Sequence, residues 1–182
     1  LHPLVKDRIN NIIRVDIETQ KAGATIIDKQ GPLHNPADRD HCIQYITAIG
    51  LIFGELNANH YEDQTASDPR IDALRQVMKV TENPRFTEDY FDPDKRAIGN
   101  AVQIFFEDGT NADKIHIDYP IGHRRRRQEG IPRLLEKWTR AVTQHYAKDN
   151  DQIAQILSTT NDMDKFLSID VTNLMDLLHL NS

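Results

Sequence analysis

Within NPADRDHCIQY (35–45), a guanidinium, an imidazole and a phenol stand close together at Arg39, His41 and Tyr45. The spacing predicts Arg39 and His41 at the start of a helix, where free backbone N–H groups and the helix dipole favour an anion. Tyr45 falls one turn after His41, on a neighbouring part of the same surface. Such a set suits clamping a carboxylate and moving a proton. The same residues also fit a purely structural arrangement. In that case Arg39 pairs with Asp38 or Asp40 at the surface, and Tyr45 packs in the core with its hydroxyl satisfied.

A second group is YPIGHRRRRQEGIP (119–132), where Arg124, Arg125, Arg126 and Arg127 are adjacent in a chain of net charge −6. Adjacent side chains cannot all point one way, so at most two of them should reach one ligand. Bidentate contacts to carboxylate or phosphate suit arginine. A charge run is usually a solvated segment, or a joint with acidic residues of another chain.

The remaining chemistry is mostly excluded. General nucleic-acid binding needs an excess of cations that this acidic chain lacks. The single cysteine, Cys42, rules out an internal disulfide and any multi-cysteine zinc site or cluster. The histidines show no metal-ligand spacing, the glycines form no phosphate loop, and no serine sits in a nucleophile motif. No metal or cofactor is therefore expected. No apolar run approaches the ~20 residues that span a bilayer, and a cytoplasmic protein is expected. Leu1 in place of methionine predicts a portion of a longer chain.

The elements that must position these groups follow from periodicity. Alternation at Ile13, Val15 and Ile17 predicts a strand over 12–20, and 28–40 reads as a loop. A helix is predicted from Asp38 or Asp40 to about Leu56, with Gly50 and Gly54 inside it. Asp68-Pro69 predicts a cap and the first position of a short helix running to Val77. KVTENPRF (79–86) reads as a strand, with Pro84 at its end or edge. Residues 101–119 form a predicted hairpin turning at Asp108-Gly109. From Pro132 onward the pattern is helical, with stripes at Leu134, Leu135, Trp138 and Val142, at Ile153, Ile156 and Leu157, and at Leu174, Leu177 and Leu178. The expected class is α+β: a small, mostly antiparallel sheet with two helices on one face, then a C-terminal helical segment.

DKQGPLHNPADRDHCIQY (28–45), SDPRIDALR (67–75), FTEDYFDPDKRAIGNAVQIFFEDGT (86–110) and YPIGHRRRRQEGIP (119–132) resemble the MmgE/PrpD family, and within it the 2-methylcitrate dehydratases. The resemblance runs in order over nearly the whole chain. It implies loss of water from 2-methylcitrate, without metal or iron–sulfur cluster, in a cleft between an upstream helical domain and a small α+β domain. Residues 1–123 would be that α+β domain. Residues 124–182 would be helices that pack on the helical domain missing from this sequence. The H-x-x-x-Y pattern carries over to His41 and Tyr45, which implies Tyr45 as the catalytic proton or hydrogen-bond donor. Arg39, His41, His123 and Arg124 become the implied substrate contacts. The other catalytic residues belong upstream, so the chain alone is expected to be inactive. The resemblance also implies a homodimer, a tricarboxylate ligand, and no nucleic-acid or membrane partner. The competing expectation is an anion-binding or dimerisation module without catalysis.

Overall fold

The computed structural model describes residues 1–179. The chain divides into two compact units, Leu1–Pro120 and a second that opens at Ile121.

The first unit is built on a four-stranded sheet. Its strands are β1 (Ile12–Thr19), β2 (Met78–Glu82), β3 (Asn100–Phe106) and β4 (Ile115–Ile117), in the order β2-β1-β3-β4. β1 pairs parallel with β2 and antiparallel with β3, and β3 pairs antiparallel with β4. Val15, Ile17 and Thr19 of β1 therefore share a buried face with Met78 and Ile104. Alternate positions Arg14, Asp16, Glu18, Lys79 and Thr81 form the opposite, polar face. The α+β class and the mostly antiparallel sheet agree with the sequence reading.

The helices of this unit are α1 (His2–Val5), α2 (Lys21–Ile26), α3 (Pro36–Asp40), α4 (Ile43–Phe53), α5 (Asp63–Ala66), α6 (Pro69–Gln76) and α7 (Pro84–Phe91). Ile49 and Ile52 of α4, with Ile71 and Leu74 of α6, pack over the apolar sheet face in one core with Val15 and Ile17. The two expected helices on one face are α4 and α6, and the others add to them.

Four local expectations are corrected. The register of β1 slips between Ile12 and Arg14, so Ile12 is buried and Ile13 is 57% exposed. This irregularity breaks the strict alternation that placed Ile13 inward. The single helix expected over 38–56 is two. His41 and Cys42 leave helical geometry between α3 and α4. There Ile43 N–H donates to the Ile27 carbonyl (2.9 Å), tying the preceding loop to the start of α4. Gly54 is the left-handed C-cap of α4, φ 77°, and not an interior residue. Finally, Pro84 does not end a strand. Asn83 accepts from Arg85 N–H and Pro84 takes the first turn of α7.

The second unit holds α8 (Arg127–His145), α9 (Asn150–Thr160), α10 (Met163–Ser168) and α11 (Val171–Leu178), preceded by a 3-10 turn over Arg124–Arg126. Helix α8 starts before the expected Pro132, which lies inside it. Its core is small: Val142, Tyr146 and Ile156, with Trp138, Ile153, Leu157, Leu177 and Leu178 packed against them. Ile131, Leu134, Leu135, Leu167, Val171 and Met175 stay exposed. The last apolar stripe thus joins the core through Leu177 and Leu178, whereas the first is covered only from Trp138 onward. Among the described residues no helix is long and apolar enough to cross a membrane.

Candidate functional site

Asn35 caps α3 by accepting from Asp38 N–H (2.9 Å), and Pro36 fixes its first turn. This short helix turns Arg39 inward, where it is only 5% exposed. Its guanidinium donates to the Tyr61 carbonyl (2.6 Å) and pairs with Asp63 (2.7 Å), whose own side chain is open to solvent. The Nε of Arg39 is buried without a partner. Arg39 therefore bonds to residues more than twenty positions ahead, not to Asp38 or Asp40.

Tyr45 sits in the first turn of α4, 2% exposed. Its hydroxyl donates to the His60 carbonyl (2.6 Å), and its ring stacks with Tyr61, centroids 6.3 Å apart. Segment 57–61 is held in turn by Asn57, whose N–H donates to His60 Nδ1 (3.1 Å), and by stacking of His60 on Phe53 (5.1 Å). Burial raises the Tyr45 phenol above its ordinary pKa, and the positive charge of Arg39 works against that rise. Tyr61 is raised as well, by burial and then by Asp40. Both phenols stay protonated at neutral pH, so Tyr45 is a hydrogen-bond donor beside a buried cation.

The structure brings Arg39 and Tyr45 together, and adds Tyr61, His60 and Asp63. It does not add His41, which closes α3, lies on the surface and pairs with the Asp40 carboxylate. Residues 57–63, a 3-10 turn leading into α5, carry little signal in the sequence because they contribute largely through the His60 and Tyr61 carbonyls.

His123 and Arg124 lie in the second unit. His123 caps the 3-10 turn, its Nδ1 accepting from Arg125 N–H (3.2 Å). Arg124 is exposed on that turn. Arg126 forms a two-point contact with Glu129 (2.6 and 3.1 Å). Arg127 lines a groove of about 440 Å³ with Ile121, Ile131, Leu134, Arg133 and Lys137. The run thus divides between an ion pair and an apolar groove with a cationic rim. Gly130 permits the close approach of α8 to this turn, since a side chain there would collide with the Ile121 carbonyl. Among the described residues, no group of three or more His, Cys, Asp or Glu is placed to hold a metal ion.

Residues 1–162 match the MmgE/PrpD C-terminal domain. The chain is 51% identical over 168 residues to the mitochondrial 2-methylcitrate dehydratase of Yarrowia lipolytica, covering 92% of this chain and 32% of that protein. It is 48% identical to the 2-methylcitrate dehydratase of Escherichia coli K12, covering 92% and 34% respectively. A probable 2-methylcitrate dehydratase of Saccharomyces cerevisiae is 46% identical, with 92% and 32% covered. The chain spans about a third of the length of these relatives.

Proposed function

The chain belongs to the MmgE/PrpD family, and we propose that it is the C-terminal portion of a hydro-lyase that converts 2-methylcitrate to 2-methyl-cis-aconitate. The observation carrying this reading is the 46–51% identity to the three 2-methylcitrate dehydratases over 92% of the chain. In this reaction a base takes a proton from carbon beside a carboxylate, the carbon–oxygen bond breaks, and the hydroxyl leaves as water with a proton from an acid. Charge builds on the activated carboxylate, and fixed donors must hold it.

Tyr45 is the donor in this proposal. Its neutral phenol hydrogen-bonds the departing or carboxylate oxygen once the His60 carbonyl gives way to substrate. Arg39 holds the local potential positive. His41, on the surface at the end of α3, is a further carboxylate contact in this proposal. The base is supplied by the upstream part of the protein, so the chain alone does not turn over. The exposed apolar residues of α8, α10 and α11 support packing against that upstream part. We place the protein in the cytoplasm as a homodimer without metal or cofactor. The mitochondrial relative offers the organelle as the other setting, and cell fractionation decides between them.

NMR of 2-methylcitrate incubated with the chain, alone and joined to an upstream portion, tests the reading. The expected result is unchanged substrate with the chain alone and 2-methyl-cis-aconitate with the joined protein. Turnover by neither would instead favour the anion-binding module, for which the buried, incompletely bonded arginine on α3 is the relevant feature.

A further inference from the structure

We propose that the cleft between the 28–34 loop and α6 binds one carboxylate of a tricarboxylate ligand, with Lys29 and Arg75 as its cationic contacts. The cleft holds about 320 Å³ and is lined by Lys29, Gly31, Gln44, Asp72, Arg75 and Gln76 among others. That volume lies at the small end of ligand sites, which run from roughly 300 Å³ upward. It suits an arm of a small acid.

The walls are fixed from several directions. Gln44, fully buried in α4, donates to the Asp28 carboxylate, and Cys42 Sγ lies 3.6 Å from the Lys29 carbonyl. Arg75 Nη2 donates to the Gly31 carbonyl (2.7 Å), at a left-handed turn of φ 82°. The cleft is therefore built by side chains from two helices gripping one loop.

Arg75 is the distinguishing group. Its side chain is 10% exposed and pairs with Asp72 (2.6 Å), yet its Nε has no partner. A buried donor without an acceptor costs about 1–3 kcal/mol, so this guanidinium is incompletely satisfied by the fold. Among the described residues the orphaned buried side-chain atoms are the Nε of Arg39 and the Nε of Arg75. Arg39 and, to a lesser degree, Arg75 oppose the rise in the Tyr45 pKa that burial causes, while Asp72 adds to it. Lys29 adds a second cation at the rim, its nearest carboxylate being Asp38 at 3.7 Å. Lys29, Arg75 and Asp72 leave one net positive charge on the lining itself, with Asp28 and Asp38 standing behind it. A carboxylate matches this charge and can accept from lysine, arginine and amide donors together.

The choice of a tricarboxylate rests on the dehydratase reading, whereas the anion site rests on the cleft alone. The test is a citrate titration of the isotope-labelled chain followed by amide NMR. Shifts are expected at Lys29, Gly31, Gln44 and Gln76, and Lys29→Gln should weaken binding ~5-fold or more, the loss of one charged contact. Arg75→Gln should weaken it further but also frees the loop, so Lys29→Gln is the deciding variant. Citrate shifts confined to other residues, or an unchanged Kd in Lys29→Gln, would overturn the proposal. Neither result touches the dehydratase reading, which fails separately if the joined protein leaves 2-methylcitrate unchanged.

Discussion

Val15, Ile17 and Ile104 of the first unit lie between a sheet and two helices, while Leu134, Leu167, Val171 and Met175 of the second face water. Both sets are apolar and both sit at regular spacing. The difference is what the chain provides to cover them. The first unit has a sheet face with helices over it, so Val15, Ile17 and Ile104 find partners within about 120 residues, although Leu4, Ile13, Ile26 and Phe91 stay exposed. The second has helices that meet only around Val142, Tyr146 and Ile156. The contrast teaches that one unit covers most of its apolar residues itself, whereas the other leaves a larger share of them uncovered.

Substitutions should read this contrast directly. Phe86 is fully buried and packs on Gly99, leaving no room for a side chain there. Phe86→Ala should cost about 3–5 kcal/mol in urea unfolding of the first unit. Leu167, 74% exposed, should cost less than about 0.5 kcal/mol on replacement by Ala. Equal losses would erase the proposed difference.

A smaller effect is expected at Gly54. Its positive φ and the His2 ring, 2.6 Å from where a Cβ would lie, both oppose a side chain. Gly54→Ala should lower stability by roughly 1–3 kcal/mol, visible as a lower urea midpoint.

Tyr45→Phe removes the bond to the His60 carbonyl and should cost about 1 kcal/mol. It should also change the alkaline limb. Burial raises the folded pKa of Tyr45, so the folded state keeps a proton that the unfolded state releases. This stabilising contribution is intact below the ordinary phenol value near 10 and is lost as pH rises through the folded value. Melting curves above pH 10 should therefore fall less steeply in Tyr45→Phe.

The smallest effect concerns Glu18 on the polar sheet face. Hydrogen bonds from Lys114, then Asn83, hold its carboxyl below the ordinary glutamate range. A depressed pKa gives stability that is present above the unfolded value and lost as pH falls through the folded one. Glu18→Gln should flatten the acid limb of a melting profile slightly, by an amount typical of exposed pairs.

The parts of the fold legible in the sequence are those with local causes. Alternation of Val102, Ile104 and Phe106 with a turn at Asp108-Gly109 marked β3, and Gly109 indeed adopts φ 80°. Asp68-Pro69 marked α6. The same Asx-Pro device opens α3 at Asn35-Pro36 and α7 at Asn83-Pro84. Neither start stands out in the sequence, because the first lies in a stretch rich in loop residues and the second beside a strand pattern. The irregularity near Ile13 had no local signal, since it depends on β3 as partner. The candidate site divides similarly. Arg39 and Tyr45 stood out by type, while the His60 and Tyr61 carbonyls and the Arg75 cleft depend on tertiary approach.

Trp138 is the sole tryptophan and lies in the second unit, where its indole N–H donates to Thr160 Oγ1 (2.7 Å). A urea titration of the chain, following Trp138 fluorescence together with the amide signals of Val15 and Ile17, therefore reads the two units separately. The account predicts that the Trp138 transition comes first, at clearly lower urea than loss of the β1 signals. Coincident transitions would contradict it, because the helical unit would then be as well supported within this chain as the sheet.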